Sequence, residues 1–199
     1  MKKKIKSIAI ALIVIALAFL YARIDKNTYL YDRNAELESY VQTGVLQKGE
    51  TISQTFFCRE EALDGINLKS TIVGSVDNVL LEYAIIDNET GEITKETAKG
   101  TEIKNNKFNE YTFPRINGAK DKSYTLTLSE TGTDLSNGVS FYIDSTKAKE
   151  SLSVKGNETQ GSLVVRLISH RFDLETFIVL LGFIAFVVVF IKVLYGLFE

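Results

Sequence analysis

The chain has 199 residues, with 23 lysines and arginines against 25 aspartates and glutamates, and a formal charge of -2; no whole-molecule electrostatic attraction to nucleic acid exists. One cysteine, Cys58, and one histidine, His170, exclude an internal disulfide and argue against Ser-His or Cys-His catalytic pairs and His-rich zinc sites. Hydrophobic residues make up 45% of the chain, yet they gather in two terminal blocks around a polar middle, which excludes an ordinary soluble domain as the whole description.

Residues 1–24 open with Lys2, Lys3, Lys4 and Lys6, followed by an apolar run from Ile8 to Leu20. This predicts an N-terminal transmembrane helix acting as an uncleaved signal anchor. A secretory signal cleaved after Ala18 also fits the basic start and the small pair Ala16 and Ala18. The anchor is preferred because apolar character continues through Phe19, Leu20 and Tyr21, with no polar segment before the cut. The charged residues 25–38 then read as a juxtamembrane linker.

Residues 39–170 read as one β domain. Tyr124, Leu126 and Leu128 alternate with Ser123, Thr125, Thr127 and Ser129, the period-two pattern of a strand with one wet and one buried face. Val139, Phe141 and Ile143 repeat it, as do Ile66, Leu68 and Ile72 against Asn67, Lys69 and Thr71, and Val79, Leu81, Tyr83 and Ile85 form a more buried version. Strands are expected over Val41 to Leu46, Thr51 to Cys58, Gly65 to Val73, Val79 to Asp87, Glu92 to Thr97, Glu110 to Phe113, Ser123 to Ser129, Val139 to Asp144, Ser151 to Val154 and Leu163 to Ser169. Turn residues separate them, among them Asp87 to Gly91, Asn117-Gly118, Asn137-Gly138 and Lys155 to Asn157. The fold class predicted is mainly β, an antiparallel β-sandwich or jelly roll held between two transmembrane helices.

Residues 171–199 supply the second helix. From Phe177 to Ile191 every residue is apolar apart from Gly182, and at about 1.5 Å per residue Leu174 to Phe198 covers roughly 30 Å of hydrocarbon, with Glu175 and Lys192 reaching opposite interfaces. The N-terminal lysines place both termini in the cytoplasm and the middle domain outside the plasma membrane. Gly182 and Ala185 are candidates for close helix packing.

Candidate chemistry in the middle domain is sparse. Glu60, Glu61 and Asp64 are the acids from which a glycan hydrolase would draw its pair, although solvated loop acids are the preferred reading. Asp87, Asn88 and Glu89 offer oxygen ligands for calcium but lack the alternating acidic spacing of a dedicated loop, so a plain turn is preferred. Cys58 reads as a buried thiol, and His170 as a residue at headgroup level. Flat aromatic faces bind sugars, and although core packing is the preferred reading for most of Tyr29, Tyr31, Tyr40, Tyr111 and Tyr142, the candidates for contact with a glycan or partner are Tyr142, Tyr40 and Tyr111. Tyr142 is the most exposed of these by its place opposite Phe141. No catalytic, metal or cofactor-binding residue is assigned, and no cofactor is expected.

Several stretches resemble the extracytoplasmic jelly-roll module of membrane proteins of low-GC Gram-positive bacteria, often joined to polytopic glycosyltransferases or polysaccharide-assembly proteins. They are Gly49-Glu50-Thr51-Ile52-Ser53-Gln54-Thr55-Phe56-Phe57-Cys58, Leu63-Asp64-Gly65-Ile66-Asn67-Leu68, Asp87-Asn88-Glu89-Thr90-Gly91-Glu92-Ile93 and Lys122-Ser123-Tyr124-Thr125-Leu126-Thr127-Leu128. A late hairpin from Ser151 to Glu158, followed by Gly161 to Arg166, is similar to the ending of that module. The resemblance implies a cell-envelope setting and supplies no catalytic residues. The expectation is a non-enzymatic accessory or scaffolding protein of polysaccharide or teichoic acid assembly, its partner a polytopic membrane protein, a glycosyltransferase or flippase, or an envelope glycan. The alternative is an envelope glycan hydrolase using surface carboxylates.

Overall fold

The computed structural model describes residues 2–146 and 150–198. In chain order the elements are α1 (Lys2–Tyr21), β1 (Arg23–Tyr29), β2 (Tyr40–Gln42), β3 (Thr51–Phe57), β4 (Ala62–Val73), β5 (Leu80–Asp87) and β6 (Ile93–Lys99). There follow β7 (Lys107–Asn117), β8 (Ser123–Thr131), β9 (Gly138–Asp144), β10 (Leu152–Val154), β11 (Asn157–Thr159), β12 (Ser162–Leu163), β13 (Val165–Phe172) and α2 (Leu174–Phe198). They form two units, one of residues 26–169 and one made of the two chain ends.

Among the described residues the strands lie in two antiparallel sheets. The smaller runs β11-β10-β3-β8-β5-β6, and the larger runs β1-β13-β4-β9-β12, with β7 on β4 and β2 on β9. Alternation decides which side chains lie between the sheets. In β8, Tyr124, Leu126 and Leu128 are buried while Ser123, Thr125 and Thr127 are only partly covered. They meet Ile52, Phe56, Leu81 and Ile85 from the same sheet and Ile66, Leu68, Val139, Phe141, Val165 and Leu167 from the other in one apolar core. Pro114 sits within β7, which pairs on one side only, with β4; a residue without a backbone N–H is tolerated at such an edge.

Three expectations from the sequence are corrected. The segment read as a linker contains β1, whose pairing with β13 supplies the order that its charged composition conceals. The strand expected over Val41 to Leu46 ends at Gln42, because Gly44 turns the chain in the left-handed region (φ 72°) and its N–H goes to Ser140 Oγ at 3.0 Å. The single strand expected over Leu163 to Ser169 is broken at Val164 into β12 and β13.

In the other unit, Asp173 caps α2: its Oδ1 accepts the Thr176 N–H at 3.1 Å, and the Asp173 N–H donates to the Ala22 carbonyl just beyond α1 at 2.8 Å. Phe172 packs against Phe19 and Phe177, with ring centroids 5.0 and 5.4 Å apart, and His170 pairs with Asp25. No residue of α2 is buried, a state that water does not tolerate for so apolar a helix. Among the described residues α2 is the one helix long and apolar enough to cross a membrane, by length and composition. The apolar part of α1, Ala9–Tyr21, falls short of that length, since its first turns are given to lysines. Of the two membrane spans expected, α2 meets the test of length and composition and α1 does not.

The inner face of β8 ends on Glu130, which is 2% exposed. Its Oε2 accepts the Val139 N–H at 3.0 Å, and its Oε1 has no hydrogen-bond partner. Burial pushes this carboxyl up from 4.5 to about 7. Because the folded state holds the proton more tightly than the unfolded one, stability is greatest below the unfolded value and falls as pH rises toward 7. Glu130→Gln keeps the acceptor for Val139 and removes the charge. In thermal melts of the full-length chain in detergent, this variant is expected to match wild type at acid pH and exceed it above pH 7. The slope it removes is about 1.4 kcal/mol per pH unit at most. On the same strand, Leu126→Ala is expected to cost about 2–5 kcal/mol through lost transfer energy and a cavity, and Thr127→Ala less than about 0.5 kcal/mol, read by denaturant melts.

Candidate functional site

The outer face of the larger sheet carries an unusual set of side chains, placed there by strand register. Alternation along β4 turns Ile66, Leu68 and Ser70 inward and leaves Asn67, Lys69 and Thr71 outside. β7 sets Phe108 directly across from Lys69, and β13 sets Arg166 across from Asn67. The near edge of β4 is shared: β13 pairs with Gly65 to Leu68 and β9 with Ser70 to Val73. Lys69 stands where those two strands part. Its N–H donates to the Val164 carbonyl at 3.0 Å, and the Val164 N–H donates to the Tyr142 carbonyl at 2.8 Å.

Aromatic rings surround the cations at this fork. The Arg166 guanidinium lies 3.7 Å from the Phe108 centroid and 5.2 Å from that of Tyr29, and its Nε donates to Tyr31 Oη at 3.2 Å. The Lys69 ammonium lies 5.2 Å from the Tyr142 ring and 5.8 Å from Phe108, and the Arg33 guanidinium is 5.3 Å from Tyr29. All are within cation–π range. Tyr31 stacks on Phe108 and meets Tyr29 and Tyr40 edge-on, with centroids 6.1, 5.6 and 6.2 Å away. Tyr142 Oη donates to Asn106 Oδ1 at 3.2 Å and accepts from the Gln42 side-chain amide at 3.5 Å.

The charge of this face is unbalanced locally. Among the described residues neither Lys69 nor Arg166 has a carboxylate at ion-pair distance. Burial, followed by the charges of Lys107 and Arg166, holds the Lys69 ammonium below the ordinary lysine range. The Asp144 carboxylate acts on Tyr40, whose phenol is pushed up by burial first and then by Tyr31 and Asp144. That carboxylate is already committed, accepting the Asp32 N–H at 2.8 Å and the Thr146 N–H and hydroxyl at 2.9 and 2.6 Å.

Of the three tyrosines expected to make contacts, Tyr142 and Tyr40 belong to this cluster. Tyr111 does not: it is 3% exposed, its ring packed on Tyr83 with centroids 5.2 Å apart, because it follows Glu110 onto the inner face of β7. Gly182 and Ala185 lie exposed along α2. The sequence reading missed Phe108, Lys69 and Arg166 as members; the available signal was an arginine set in the apolar run from Leu163 to Ile168. The acids Glu60, Glu61 and Asp64 are each matched to a separate cation, Lys26 at 2.7 Å, Lys120 at 3.0 Å and Arg115 at 3.1 Å. Asp87 Oδ1 closes its own turn, accepting the N–H groups of Glu89 and Thr90 at 2.9 and 3.1 Å. No group of three or more His, Cys, Asp or Glu placed to share a metal ion occurs among the described residues. Cys58 is buried, and burial pushes its thiol up, away from the reactive thiolate.

Comparison with protein-family models and with curated proteins finds no match to this chain. The class that the structure defines is a mainly β, two-sheet sandwich-like protein with an apolar C-terminal helix able to span a membrane.

If Arg166 is held by the rings as described, Arg166→Ala removes two ring contacts and the bond to Tyr31 and should cost about 1–3 kcal/mol. Lys107→Ala, on an exposed side chain, should stay within about 0.5 kcal/mol. Thermal melts of the two full-length variants check the difference.

Proposed function

We propose that this chain is a non-enzymatic, membrane-anchored accessory or scaffolding protein of cell-envelope polysaccharide or teichoic acid assembly. Its β domain binds an envelope glycan or a polytopic membrane partner, a glycosyltransferase or flippase, through the aromatic–cation face. The observation that carries this reading is the outer face of the larger sheet, where half-buried rings and cations gather outside the core. Rings with hydroxyl and amide neighbours on an outer sheet face suit hydrogen-bonded ligands. The apolar α2 supports the anchoring. In this reading α1 inserts beside it as a second span, and the lysines at the N-terminus put both termini in the cytoplasm and the β domain outside. The resemblance to envelope jelly-roll modules supports the setting. The separate ion pairing of Glu60, Glu61 and Asp64 speaks for a binding role, since a hydrolytic pair must share one substrate.

The test is retention of envelope glycans by the purified full-length protein in detergent. Wild type is expected to retain glycan without cleaving it, Tyr40→Ala with Tyr142→Ala to lose retention, and Glu60→Gln with Glu61→Gln and Asp64→Asn to keep it. Reproducible cleavage by wild type that disappears in the acid variant would replace this reading with the hydrolase.

A further inference from the structure

The paired acids and the Asp87 turn are each satisfied internally. The fork at Lys69 is not. Two cations flank one ring, Phe108, with Arg166 at 3.7 Å and Lys69 at 5.8 Å from its centroid. The ring quadrupoles attract each cation, but they do not cancel the repulsion between the two, and an exposed-face cation–π contact is worth only about 0.5–1 kcal/mol. The repulsion is expressed in Lys69, whose ammonium is disfavoured by burial and by its cationic neighbours Lys107 and Arg166. Among the described residues elsewhere in the domain, the partly buried cations Lys122 and Lys155 have carboxylate partners, Asp87 and Glu50. Among the described residues the departure from that rule is confined to this face.

We infer that the fork between β9 and β13 is an anion-binding site, in which Lys69 and Arg166 receive the carboxylate or phosphate of an acidic saccharide chain. This rests on the recognition role proposed above and names the chemistry of the ligand. The anion supplies the counter-charge that the fold omits, through charge-assisted hydrogen bonds. The choice of a saccharide follows from the rim. Tyr142 Oη and the Asn106 and Gln42 amides are neutral donors and acceptors matched to hydroxyl groups, and an open sheet face accepts an extended chain. The rings act mainly as holders of the cations, because Arg166 already covers the Phe108 face and Tyr31 is buried.

The experiment is calorimetric titration of the full-length chain in neutral detergent micelles with maltohexaose, its phosphorylated derivative, a galacturonate hexamer and a hexaglutamate peptide. One acidic saccharide is expected to bind at least about tenfold more tightly than maltohexaose, and which of the two does so identifies phosphate or carboxylate as the group received. Its affinity should weaken as salt rises. Lys69→Gln should lower the affinity by about tenfold and Lys69→Arg should preserve it, which separates loss of charge from loss of fold. Maltohexaose binding as tightly as the acidic chains would overturn the anion site and leave the recognition role standing. Failure of every saccharide to bind would overturn the anion site together with the glycan as the ligand of the proposed function. Hexaglutamate binding as tightly would overturn the saccharide class, and Lys69→Gln binding like wild type would overturn the location.

Discussion

The outer face depends on how one strand satisfies its backbone on both edges. β4 is the longest strand, and β7 runs along one side of it while β13 and β9 divide the other. Where they divide, the Val164 carbonyl takes the Lys69 N–H and the Val164 N–H reaches the Tyr142 carbonyl, so both backbone groups of Val164 are bonded. Four strands thus converge at Lys69 with fixed register, and since side chains alternate with period two, that register alone decides that Lys69, Phe108, Arg166 and Tyr142 share one surface.

What those side chains do follows from what they lack. A partly covered cation is ordinarily neutralised by a carboxylate, as Glu50 serves Lys155; here rings take that place, and they attract a cation without removing its field. The result is a surface that holds positive charge in defined positions and leaves it available. Glu130 is the opposite case, a lone carboxylate on the core face of β8 at the end of an apolar series. With one oxygen bonded to the Val139 N–H and the other unbonded, it is easier to protonate than to ionise.

The helical unit poses a separate physical problem. α2 exposes Phe183, Phe186, Val189 and Phe190 along its length, and it is long and apolar enough to cross a membrane. α1 has the same character over a shorter stretch, its start weighted with lysines.

The sequence by itself determined the class of the fold, because a period of two over segments such as Ser123 to Ser129 and Val139 to Asp144 admits a half-buried strand and little else. It determined the apolar C-terminal helix through an uninterrupted hydrophobic run, and it set Tyr142 opposite Phe141 by simple alternation. It did not reveal β1, since a strand of charged and polar residues carries no apolar alternation, and its order comes from backbone pairing with β13. Nor did it show that Tyr111 is a core residue, or that Lys69, Phe108 and Arg166 are neighbours, although 58 and 39 positions separate Arg166 and Lys69 from Phe108. Those relations are set by pairing between strands remote in sequence, and only the tertiary structure fixes the register that brings their side chains together.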